Sequence, residues 1–294
     1  MSPAPPPPRV YGTWPGGMPF LAVGSGPPLV FLPGTTPNHD APTGTERRFQ
    51  ARQVLPYAAA RRVWWVNRRP GLHPDATMAD IAADYAQAML RRFDEPVDVI
   101  GESTGGSVAL QLAADHPAVV NRLVTVSAAY KLGEEGRDTM LRVADDVLDG
   151  RPRAAGSEQT RMAGAGTGSK RLLAGLGWLI GKSYFAHATA DLITTIRAED
   201  AFDLRTRLAD IVAPTLVIGG DRDAFYSAEL FRQTADGIPR GRLALYAGRG
   251  HLTTTMDSRF LPDVLSFLDP PDDDDAGGTG VAAEPGAGRD DITR

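Results

Sequence analysis

The chain has 294 residues, no cysteine, an ordinary apolar fraction and a formal net charge of −5. The lack of cysteine excludes disulfides, thiolate metal sites and a cysteine nucleophile, and leaves the redox compartment open. The last 26 residues, from Asp269, hold eight acidic and two basic side chains; the rest is close to neutral, and the dispersed pairs Arg47/Arg48, Arg61/Arg62 and Arg68/Arg69 offer no basic face for nucleic acid.

Taken in chain order, the opening MSPAPPPPRV lacks the apolar stretch of a secretory signal. The longest apolar run, LLAGLGWLIG, is too short to cross a bilayer, so a cytoplasmic protein without a membrane partner is expected. Residues 1–9 and 269–294 are expected to be disordered, because neither composition can offset the entropy of ordering. RVYGTWPGGMPFLAVGSG reads as an antiparallel hairpin at a sheet edge. Six short runs follow, PLVFLPG, RVWWVNRRPG, VDVIGES, RLVTVSA, APTLVIGG and RLALYAG, alternating with helical patterns. Bounded by turn residues, such runs suit buried strands of a mostly parallel sheet flanked by helices.

Between the second and third runs, TMADIAADYAQAMLRRF sets Met78, Ile81, Tyr85, Met89 and Leu90 on a core-facing stripe. From Lys131 to about Arg205 the strand–helix rhythm stops, and residues 131–205 read as a helical insertion over one end of the sheet, the core being 10–130 and 206–268. Within it RLLAGLGWLIGKSYF is apolar nearly all round, which predicts a helix that is buried or lines a cavity.

The chemistry concentrates where strands end. Gly101-Glu102-Ser103-Thr104-Gly105 stands between the strand VDVI and the helix GGSVALQLAADH. A G-x-S-x-G in that setting turns so sharply that the serine hydroxyl is exposed, and it points the Thr104 amide, at a helix N-terminus, toward a developing oxyanion. A serine needs a base and an orienting carboxylate downstream. Asp223 follows the strand TLVI and His251 follows LALY, both at C-terminal strand edges. Asp221 shares the GGDRDAFY loop with Asp223; it lies close to the strand end and suits a turn residue bonding local amides, whereas Asp223 can extend toward His251. The loop after PLVFL supplies a second oxyanion donor, the amide of Thr35, with Gly34 permitting the turn and the hydroxyls of Thr35 and Thr36 as helpers. His73 and His116 read as surface or capping residues. His39 and His187 are placed to line a pocket, but no two histidines show metal-ligand spacing, so no metal is expected.

PLVFLPG, VIGESTGGSVAL, PTLVIGGDRDAFY and GRGHL resemble, in order and spacing, the signature segments of the α/β-hydrolase superfamily over roughly residues 10–268. NRRPGL, STGGS and AEDAFDL are similar to a group of compact actinobacterial hydrolases. The resemblance implies an α/β-hydrolase fold with an eight-stranded, mostly parallel sheet, a helical cap at about 131–205, and hydrolysis through an acyl-enzyme without a cofactor. It also implies Ser103, Asp223 and His251 as a catalytic triad, Asp223 matching the Gly-x-x-Asp pattern from Gly220. The chain departs from the family in carrying Pro33-Gly34 where His-Gly is common. The expected substrate is a small acyl compound with an apolar part, met by Gly34, Thr36, His39, Trp178 and Phe225. Ester, thioester, lactone and carbon–carbon bonds beside a ketone all stay open, as does a ligand receptor on the same fold.

Overall fold

The computed structural model describes residues 9–164 and 166–269. Apart from Arg9 and Asp269, both segments expected to be disordered lie outside the described residues. Eight strands form one sheet: β1 (Val10–Trp14), β2 (Met18–Val23), β3 (Pro28–Leu32), β4 (Arg62–Val66), β5 (Val97–Glu102), β6 (Val120–Val126), β7 (Thr215–Gly220) and β8 (Gly241–Tyr246). Their order is β1-β2-β4-β3-β5-β6-β7-β8. β1 and β2 form the expected edge hairpin, β2 meets β4 antiparallel, and the remaining pairs are parallel. This is the α/β-hydrolase fold with a helical insertion.

Alternation along the strands builds a core on each face. Val30 and Leu32 of β3 pack with α2 (Met78–Arg92) and α3 (Thr104–Asp115), while Leu29 and Phe31 face α1 (Gly44–Val54) and α9 (Phe260–Leu268). On α2, Met78, Ile81, Tyr85 and Met89 are buried as expected. Leu90 is not; it is 65% exposed, because one residue past Met89 turns it about 100° off the stripe. Asp269, which composition assigns to the tail, belongs to the fold. The buried Arg61 guanidinium binds its carboxylate, the Leu268 carbonyl and Asp98 together.

The insertion consists of α4 (Glu134–Leu148), α5 (Pro152–Arg161), α6 (Thr167–Tyr184) and α7 (Ala190–Asp200), and α8 (Ala228–Gly237) follows β7. Here the sequence reading needs correction. α6 buries Gly177 and Gly181 against Gly156 of α5, so close that a Cβ at 177 would strike the Gly156 carbonyl. Glycines bring the helix backbones together and turn the bulky side chains outward. Leu172, Leu176, Leu179 and Ile180 are exposed, and Trp178 lies half exposed beneath the Arg153 guanidinium, 4.2 Å from its ring centroid. Along this face α6 is exposed rather than buried.

Two glycine substitutions should act in opposite directions. A Cβ at Gly105 would overlap the Leu32 carbonyl oxygen, whereas one at Gly175, in the middle of α6, meets nothing within 4 Å. Gly105→Ala is expected to lower unfolding free energy by more than ~3 kcal/mol through backbone overlap, and Gly175→Ala to raise it by roughly 0.5–1 kcal/mol. Denaturant titration of both variants checks this.

Candidate active site

The turn from β5 into α3 sets the geometry. Ser103 adopts φ 52°, ψ −124°, a left-handed backbone that side chains rarely hold. Its amide donates to the Val126 carbonyl (2.8 Å), and its carbonyl accepts from the amides of Gly106 (2.7 Å) and Ser107 (3.2 Å). Helix and strand can meet this closely because Gly101 and Gly106 lack side chains: a Cβ on Gly101 would come within 2.7 Å of the Gly106 Cα. Thr104, at the first helical position, has no intrahelical acceptor for its amide, which adds to the positive end of the helix dipole.

The loops after β7 and β8 complete a hydrogen-bonded row. Ser103 Oγ lies 3.0 Å from His251 Nε2, and His251 Nδ1 lies 2.8 Å from Asp223 Oδ2. An ionised Asp223 only accepts, so Nδ1 carries a proton and Nε2 is left to accept from the serine. The other oxygen of Asp223 accepts from the amides of Phe225 (2.9 Å) and Tyr226 (3.2 Å), which holds the carboxylate in place. Burial alone would push the His251 imidazolium below its usual pKa. Asp223, with Glu102 and Glu199 behind it, outweighs that penalty, and the balance is upward. Phe225 packs against the imidazole at 4.6 Å between centroids, and Tyr226 stacks on it at 6.0 Å.

Asp221 does not bond within its own turn. It accepts the Gly248 amide at 2.6 Å and so ties the Asp223 loop to the one that carries His251.

The loop after β3 lies against the serine. A Cβ on Gly34 would stand 3.3 Å from Ser103 Cβ. Thr35 Oγ1 is 2.7 Å from Thr104 Oγ1, and the Thr35 carbonyl accepts from Tyr184 of α6 at 3.2 Å. Thr36 is turned elsewhere, its hydroxyl donating to Asn67. His39 is buried, with Nδ1 3.0 Å from the Arg69 carbonyl and Nε2 3.5 Å from Thr195. Burial and the nearby Arg68 lower its pKa to about 4, which keeps it neutral. Its partners lie on the loop after β4 and on α7. Among the other histidines, His73 and His187 are exposed and His116 caps α3. Trp178, on the outer face of α6, is not brought to the row.

Three further buried side chains at the site are marked by no catalytic motif in the sequence. Glu199 of α7 accepts from Thr104 (2.7 Å), Ser107 (2.9 Å) and Tyr226 (3.2 Å). Arg68 donates to the carbonyls of Pro33 and Gly34, both at 3.0 Å. Tyr226 joins Glu199 to the imidazole stack. Their segments stand out by resemblance alone: Arg68 lies in NRRPGL, Glu199 in AEDAFDL and Tyr226 at the end of PTLVIGGDRDAFY. Among the described residues no cluster of three His, Cys, Asp or Glu could hold a metal, and no helix is long and apolar enough to cross a membrane.

Comparison with known proteins follows the same lines. A family model described as "Alpha/beta hydrolase family" matches residues 29–262. A Serratia proteamaculans protein named "Putative carbamate hydrolase RutD" is 29% identical over 210 residues, which are 67% of this chain and 75% of that protein. A pimeloyl-[acyl-carrier protein] methyl ester esterase of Photobacterium profundum is 27% identical over 198 residues, 65% of this chain and 77% of its own. Among solved structures, a hydrolase from Pseudomonas aeruginosa superposes with a TM-score of 0.70 at 22% identity, covering 88% of this chain and 98% of its own.

Proposed function

The chain belongs to the alpha/beta hydrolase family, and from that premise we propose that it is a serine hydrolase that cleaves a carboxylic ester or related acyl compound through an acyl-enzyme. The observation that carries this reading is the unbroken row Asp223–His251–Ser103, with the serine at the head of a helix. His251 Nε2 takes the Ser103 proton as Oγ attacks the carbonyl carbon, while Asp223 fixes the tautomer and stabilises the imidazolium. The oxyanion falls to the amides of Thr104 and Thr35. Because the Gly34 carbonyl is drawn toward Arg68, the trans peptide directs the Thr35 N–H the opposite way. The imidazolium then protonates the leaving group, and water repeats the sequence to release the acid. The buried Phe225 ring offers an apolar wall beside the imidazole. Relatives named for carbamate and methyl-ester hydrolysis support attack on an acyl carbon.

Ser103→Ala should fold normally yet lose turnover of a short-chain ester panel by several orders of magnitude, and should no longer be labelled by a fluorophosphonate. Normal turnover in the purified variant would end the proposal.

The two loop aspartates separate cleanly. Asp223→Asn is expected to cut kcat by roughly 10⁴-fold through loss of tautomer control, whereas Asp221→Asn, which only weakens an exposed loop tie, should cost no more than about 1 kcal/mol of stability. Steady-state kinetics and thermal melts on both decide the assignment.

His251 acts as base only when neutral, and its pKa lies above the ordinary 6.5. kcat/KM should therefore fall as pH drops, with a midpoint above 6.5. A plateau extending well below that value would show that another group is the base.

A further inference from the structure

α7 presents Asp191, Thr195 and Glu199 at intervals of four residues, so they share one face, and all three are buried. Each reaches a different segment near the site. Asp191 accepts the amides of Gly71 and Leu72, and Thr195 faces His39. Glu199 reaches furthest in, with one oxygen accepting from Thr104 and the other from Ser107 and Tyr226. Burial, the largest influence on Glu199, raises its pKa above the ordinary carboxylate value, and the hydrogen bonds from Thr104, Ser107 and Tyr226 with the buried Arg68 cation pull the other way; three hydroxyls donating to two oxygens is the pattern of a carboxylate.

A carboxylate only accepts, and that has a geometric result. Thr104 has a single hydroxyl proton and gives it to Glu199. Its oxygen is then an acceptor, so Thr35 must donate to Thr104 across their 2.7 Å contact. Both hydroxyl protons are committed, neither side chain is free to turn, and the segment carrying the Thr35 amide is tied to the first turn of α3. On its other side Arg68 grips the carbonyls of Pro33 and Gly34.

We propose that Glu199, supplied by the insertion, is a positioning residue for the reaction: through Thr104 it locks Thr35 and sets the spacing of the two oxyanion amides. The role rests on the serine-hydrolase reading above. Glu199 touches no reacting atom. It acts through Thr104 and, by way of Tyr226, on the setting of His251. The charged and titratable groups around it are Arg68, Tyr226 and His251; those around His251 are Asp223, Glu102 and Glu199 itself.

The test compares Glu199→Gln, Thr104→Val and Thr104→Ser in the full chain, with an ester that the wild type hydrolyses, reading kcat, KM, the pH profile and thermal stability. Thr104→Val keeps the amide and the side-chain shape but breaks the link. It should lower kcat about 10- to 100-fold, as misplacement of a reacting group does, with KM nearly unchanged and the acid limb in place. Thr104→Ser should restore kcat. Glu199→Gln should lower kcat likewise and, by removing a negative charge that holds the imidazolium, move the acid limb to lower pH. A packing role alone would leave that limb where it is. If Glu199→Gln fails to fold, Thr104→Val against Thr104→Ser decides. Wild-type kcat in Thr104→Val, or an unshifted limb with full kcat in folded Glu199→Gln, overturns the positioning role while leaving the serine hydrolase intact. A wild type that hydrolyses no ester and resists the fluorophosphonate removes both.

Discussion

The site depends on one backbone constraint, the positive φ of Ser103. Holding an L-residue there costs on the order of 1–3 kcal/mol, and the surrounding contacts must over-determine the turn. The Val126 carbonyl takes the serine amide, and the first turn of α3 closes on the serine carbonyl. Closure brings Gly105 against the Leu32 carbonyl, a place where no side chain fits. The end of β3 is therefore pressed onto α3, and only because of that approach can Thr35 and Thr104 meet. Strain at one residue, glycine at its neighbours and the adjacent loop of the site form a single arrangement.

A second layer is electrostatic. Glu199 and Arg68 are both buried, and their hydrogen bonds go mainly to neutral partners: hydroxyls for the acid, carbonyls for the guanidinium. Such groups add little net stability, but they specify direction, since a misdirected donor would leave a buried charge unsatisfied. The family fold supplies the sheet and the turn, while the polar stripe on α7 comes from the insertion. Alignment of the site and coverage by the insertion are thus properties of the same helix.

Much of this was legible in the chain. Ser103, Asp223 and His251 stand within a few residues of strand ends, where local sequence controls placement, and the apolar runs that mark those strands are long enough to read. Glu199 was not legible, because it lies 95 residues from Thr104 and gains meaning only when α7 packs beside α3. His39 and Thr36 sit in the right loop, but their side chains are taken by partners from the loop after β4 and from α7. α6 misled for another reason. Hydrophobic pattern favours burying leucine and tryptophan, yet Gly156, Gly177 and Gly181 allow backbone contact that decides the packing face instead.

The Arg61 clasp gives the molecule a polarity. Arg61 precedes β4 and binds Asp98, near the start of β5, together with the Leu268 carbonyl and Asp269, at the edge where the parallel strands begin. Ser103, Asp223 and His251 occupy the edge where the strands end. Asp269 is thus held at the opposite edge of the sheet from Ser103, Asp223 and His251, so the clasp can bear on the stability of the fold without touching the hydrogen-bonded row.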